Sequence, residues 1–139
     1  MEPLDLSKRA PRGPREKLDG LCMLPRTIDK MRALLPGGNV GSYKIPGVSQ
    51  RVLDALEVKP EDLQAEVASA ASDQDVAVWL RARCDASRYP AINERVLKRS
   101  TADVDDKAYF YGLYPWAQDR GPMLLVDVME EDDRRTFPA

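Results

Sequence analysis

The chain has 139 residues, no histidine, and 21 Lys and Arg against 23 Asp and Glu, giving a formal net charge of -2. Hydrophobic residues make up 43% and charged residues 32%. A single folded domain of this length buries about two-thirds of its unfolded surface and needs no disulfide or metal staple. The missing histidine excludes a Ser-His or Cys-His nucleophile pair, a histidine base, a His-containing zinc site and a histidine pH switch within one chain.

Residues 1–14 contain Pro3, Pro11, Gly13 and Pro14 and predict an extended basic arm, because proline removes a donor and disfavours helix at the residue before it. Leu21, Leu24, Ile28, Met31 and Leu35 fall at helical steps of three and four. With Pro25 in the way, the pattern predicts a short helical turn over 14–21 and then a helix from Pro25. Pro36, Gly37, Gly38 and Asn39 end it. Residues 40–46, with Tyr43, form a connection for which no partner strand is evident. Val48, Val52, Leu53 and Leu56 predict a helix of about ten residues. Pro60, Glu61 and Asp62 open the next, whose apolar face is Leu63, Val67, Ala70 and Ala71.

Ser72 is placed to cap a helix carrying Val76, Trp79, Leu80 and Cys84, with Asp75 at the capping-box position. Tyr89, Ile92, Val96 and Leu97 follow on a helix with Pro90 in its first turn. Ser100 or Thr101 is the expected cap of a sixth helix through Val104, Ala108 and Tyr111, limited by Gly112 and Pro115. Leu124, Leu125, Val128 and Met129 have helical spacing in the tail 122–139, whose acidic end opposes the helix dipole. The expected architecture is all-α: one domain over 1–139, a bundle of about six to seven short helices with a Pro-rich arm.

Cys22 and Cys84 are too few for a disulfide framework or a four-cysteine zinc site and read as core thiols. Uninterrupted apolar runs such as 123–126 are far short of a membrane span, and no secretory signal pattern is present, so the expected compartment is cytoplasmic.

Charge is unevenly placed. Lys8, Arg9, Arg12, Arg15 and Lys17 stand at one end, and Glu130, Glu131, Asp132 and Asp133 at the other. Arg12, Arg15, Arg26 and Lys30 form a candidate anion-binding group, since Arg26 and Lys30 share a helix face and a guanidinium fork suits phosphate or carboxylate. The competing expectation is that the basic head pairs with the acidic tail. Five of the nine aromatic residues fall at Tyr109, Phe110, Tyr111, Tyr114 and Trp116, too many for one face of a helix. Tyr109, Tyr111, Tyr114 and Trp116 are the candidate partner or ligand surface. The spacing of the tail acids fits no EF-hand, and no metal site or cofactor motif is read.

The segments LDLSKRAPRGPREKLDG at 4–20, LPRTIDKMRALL at 24–35, GSY at 41–43, SDQDVAVWL at 72–80 and LVDVMEEDD at 125–133 with Phe137 resemble an uncharacterised bacterial family, domain of unknown function 5069. Residues 44–50 lack the Cys-Pro-Leu-Asp-like stretch of that pattern, and 84–104 match it poorly. The resemblance implies a compact bacterial domain and brings no activity, cofactor or catalytic residue. The leading expectation is a non-catalytic helical interaction or binding module with a protein partner. The alternative is a binder of, or an enzyme acting on, a small anionic metabolite. Near-neutral charge argues against nucleic acid as a partner.

Overall fold

A computed structural model describes residues 1–138 of the chain. The N-terminal arm lies along the molecule rather than away from it. Leu4 and Leu6 are buried with Ala33, beside Val40 and Tyr43. Leu6 N donates to Asn39 O at 2.8 Å and Asn39 N to Leu4 O at 3.1 Å, forming a parallel bridge between Asp5 and Asn39. The arm thus holds the loop leaving the first helix.

Next comes a small antiparallel hairpin, β1 (Lys17–Leu18) and β2 (Leu21–Cys22), with Lys17 opposite Cys22 and Leu18 opposite Leu21. Asp19 and Gly20 have φ of 53° and 81°, the two left-handed positions that a tight Asp-Gly turn requires. This corrects the expected helical turn over 14–21, and with it the purely all-α class: the fold is mostly helical with one two-stranded sheet. The strands are too short to show an alternating pattern, so the dipeptide was their only signal. Cys22 N donates to Asn93 Oδ1 at 2.8 Å, and Asn93 Nδ2 donates to Gly20 O at 2.7 Å. Asn93→Leu is therefore expected to destabilise the fold by about 1–3 kcal/mol, because both backbone groups lose their partner. Urea denaturation monitored by circular dichroism checks this.

The helices among the described residues are α1 (Leu24–Ala33), α2 (Ser49–Leu56), α3 (Pro60–Ser69), α4 (Asp73–Arg83), α5 (Tyr89–Lys98), α6 (Lys107–Leu113) and α7 (Leu125–Thr136), with short 3-10 turns at Ala86–Arg88, Thr101–Asp103 and Pro115–Arg120. Their apolar faces meet in one core that includes Ile28, Met31, Leu53, Leu63, Val67, Leu80 and Val128. Two caps differ from expectation. Ser72 sits at the N-cap of α4 without a side-chain bond, while Asp75 reaches back to accept from Ala71 N at 2.9 Å. Ser100 caps the 3-10 turn in a box with Asp103, and α6 is capped instead by Asp106, which accepts from Tyr109 N at 2.9 Å. α7 continues past the acids and ends on Arg134 and Arg135, whose charge suits the helix C-terminus. Burial pushes both the Cys22 and Cys84 thiols up, away from the reactive thiolate. No helix of the described residues is long and apolar enough to cross a membrane.

Candidate functional site

α1 sits between the core and a second layer formed by the arm, the 42–48 loop and α7. It is buried almost all round, and three of its buried residues are charged: Arg26 at 2% exposure, Asp29 at 4% and Lys30 at 5%. Buried charges are expensive unless paired, so their partners indicate what each one does.

The basic head and the acidic tail do meet. Arg15 Nη2 donates to Asp127 Oδ1 at 2.8 Å, and its Nη1 pairs with Glu130. This bridge is largely exposed, so Arg15→Ala is expected to cost under about 1 kcal/mol and less still in high salt, read from denaturation midpoints at two ionic strengths. Arg12 spans two acids. Its Nη2 donates to Asp29 Oδ1 at 3.0 Å and its Nη1 to Asp73 Oδ2 at 2.6 Å, and Asp29 Oδ2 also accepts from the Arg12 backbone N at 2.8 Å. The hydrogen bond to Asp73, followed by that to Asp29, raises the Arg12 guanidinium further above its ordinary value. Arg12 thus ties the arm to α1 and α4 through Nε, Nη1 and Nη2.

Arg26 makes a two-pronged pair with α7: Nη1 to Asp133 Oδ2 at 2.7 Å and Nη2 to Asp133 Oδ1 at 3.1 Å. Tyr43 completes the group. Its hydroxyl donates to Asp133 Oδ1 at 2.9 Å, and its ring lies 5.7 Å from the Arg26 guanidinium carbon. Burial and then the Asp133 charge push the Tyr43 phenol up, so it remains a donor. Arg26 Nε is buried with no partner among the described residues.

Lys30 is different. Its Nζ donates only to backbone carbonyls, Lys44 O at 3.1 Å and Pro46 O at 3.4 Å, and it forms no salt bridge with any described carboxylate. Burial, then the neighbouring Arg26, pushes the ammonium down to about 8, against a smaller opposing pull from Asp133. A buried ammonium with a lowered value and no carboxylate partner among the described residues makes Lys30 a candidate functional residue.

Arg26 and Lys30 line a cavity of about 660 Å³, bounded by α1, the 42–48 loop, α2, α6 and α7. Its apolar wall includes Val48, Phe110, Leu113, Leu125 and Met129, and its polar groups include Tyr43, Tyr109, Tyr114 and Asp132. Burial raises the Asp132 carboxyl and the Tyr114 phenol. Two of the four anion-binding candidates thus reach the cavity, Arg26 and Lys30. Arg12 and Arg15 instead face carboxylates of the protein.

The aromatic segment divides in a similar way. Tyr109 and Tyr114 line the same cavity, and Phe110 is buried between Tyr111 and Tyr114. Trp116 does not line it, and has the Arg135 guanidinium 4.6 Å and the Arg120 guanidinium 5.5 Å from its ring centre. Sequence reasoning missed Tyr43, Asp132 and Asp133 as members of the site. Tyr43 sat in an unassigned connection, and the two aspartates were hidden in an acidic run that resembles a solvated tail.

No curated protein matches the chain. A family model described as domain of unknown function (DUF5069) matches residues 8–135, which include both the basic head and the tail acids that pair with it. The chain belongs to the DUF5069 family.

Proposed function

We propose that the domain binds a small organic anion in the cavity between α1, the 42–48 loop and α7, with Lys30 supplying the cation. One observation carries this. Arg26 and Asp29 each have an oppositely charged partner, whereas Lys30 is equally buried, lines the cavity and, among the described residues, has only carbonyls. A carboxylate entering the cavity supplies the missing countercharge, and a charge-assisted hydrogen bond is among the stronger polar contacts. The apolar wall suits the hydrocarbon part of such a ligand.

A partner-docking role for the aromatic segment has weaker support. Tyr109, at 61% exposure, is its one strongly exposed ring among the described residues.

The test is a thermal-shift and calorimetric series with straight-chain monocarboxylates on the wild-type chain and on Lys30→Met. Binding to the folded state is expected to raise the melting temperature of wild type. Lys30→Met is expected to weaken binding by about tenfold to a hundredfold. A series in which no carboxylate stabilises the wild-type chain contradicts the proposal.

A further inference from the structure

We propose that the organic anion is a 2-oxo carboxylic acid and that Lys30 captures it covalently as an iminium, an inference that rests on the cavity being an organic-anion site.

The geometry around the amine leaves one of its directions without a partner among the described residues. Two of the three non-carbon directions of Nζ are fixed by the Lys44 and Pro46 carbonyls. The third is taken by no described carboxylate. In the ammonium form that direction holds the third N–H, and after loss of one proton it holds the lone pair. Gly47 keeps the space beside the amine clear. A Cβ there would stand 2.9 Å from Nζ, and the left-handed φ of +64° is one that glycine adopts without strain. The carbonyls orient the amine, the glycine leaves it unobstructed, and the cavity brings a ligand to it. Burial adds chemical competence. With the amine pushed down to about 8, about a quarter is neutral near pH 7.5, against about one part in a thousand for an ordinary lysine.

The step balances without an oxidant or reductant. Nζ gives a proton to a base, for which the aspartates of the cavity wall, Asp54, Asp105, Asp106 and Asp132, are the available type. The nitrogen lone pair then forms a bond to the ketone carbon as the C=O π pair moves to oxygen. The second Nζ proton passes to that oxygen, and the hydroxyl so formed takes back the proton held by the base and leaves as water while nitrogen forms the C=N bond. The net change is ammonium plus ketone to iminium plus water. The positive charge leaves Nζ in the neutral amine and carbinolamine and returns in the iminium, so a cation faces the carboxylate both on arrival and after capture. That favours an acid with its carbonyl next to the carboxylate over a neutral aldehyde. The apolar wall at Val48, Phe110, Leu125 and Met129 takes the hydrocarbon substituent.

The experiment incubates the full chain with 2-oxohexanoate and cyanoborohydride near neutral pH, which converts any iminium to a stable secondary amine. Intact mass and peptide mapping then locate the adduct, and calorimetry with hexanoate runs in parallel. Lys30 is expected to be modified at least about tenfold faster than Lys17, Lys59, Lys98 and Lys107 of the same molecules, in line with its larger neutral fraction. Hexanoate is expected to slow that labelling, and Lys30→Met to remove the fast adduct. Because surface lysines of the folded wild-type chain are the reference, the result does not depend on how the variant folds. Hexanoate binding without preferential labelling of Lys30 overturns the iminium and leaves the anion site standing. Neither binding nor labelling overturns both.

Discussion

Replacing Arg26 with alanine is expected to destabilise the fold by about 3–5 kcal/mol, the usual cost of stripping one partner from a buried ion pair. Asp133, with only 14% side-chain exposure, would lose its guanidinium partner, and the Tyr43 hydroxyl would be its main remaining donor. The Arg26 to Asp133 pair also joins the first long helix to the last, so its loss should loosen α7 and not merely one contact. Arg26→Met combined with Asp133→Leu is expected to recover much of the loss, since a matched apolar pair leaves no uncompensated charge. Urea denaturation of wild type, both single variants and the double variant gives the coupling energy directly. A single-variant loss comparable to that of Arg15→Ala would show that the pair contributes little to holding head and tail together.

The second large effect is a pH dependence set by Lys30. Its folded value lies near 8 and its ordinary value is 10.5. Between those limits the unfolded chain holds more protons than the folded one, so stability attributable to Lys30 rises with pH across that window. Below it, the penalty of burying the ammonium is fully present and constant. Above it, the penalty is gone. The whole difference is on the order of 3 kcal/mol. Tyr43, Tyr114, Cys22 and Cys84 have raised values and lose stability as pH rises, so the wild-type curve alone mixes opposing slopes. Subtracting the curve of Lys30→Met isolates the lysine. The groups that set its environment are Arg26 on α1 and Asp133 on α7. The variant is expected to be more stable than wild type at neutral pH, and the gap should close between about pH 8 and 10. A gap that does not change with pH contradicts the assignment.

Much of the helical frame was legible because its signals are local. The spacing of Leu24, Ile28 and Met31 marks one face of α1, and Pro25 and Pro60 mark helix starts. The hairpin was not read, although Asp19 and Gly20 are a strong turn signal, because helical spacing through Leu21 competed with it. The α6 cap was misplaced by a few residues for a related reason. Ser100 is a good cap, but the turn it opens closes after one 3-10 segment, and Asp106 caps the α-helix.

The site was half legible. Arg26 and Lys30 share a helix face, which spacing shows. That their partners differ in kind is a tertiary fact. It depends on α7 crossing α1 so that Asp133 meets Arg26, and on the 42–48 loop presenting carbonyls to Lys30. Charge counting treats Arg12, Arg15, Arg26 and Lys30 alike, whereas burial and pairing separate them into two clamps, one buried pair and one open ammonium.

The most direct test of the central claim is a site-resolved NMR titration of the Lys30 side chain in chain labelled with 13C lysine, run with and without a saturating straight-chain monocarboxylate. The account predicts a midpoint near 8 in the free chain that moves upward when the carboxylate binds, because an anion that prefers the ammonium form must raise its proton affinity. A midpoint near the ordinary 10.5 that the carboxylate leaves unmoved would contradict it.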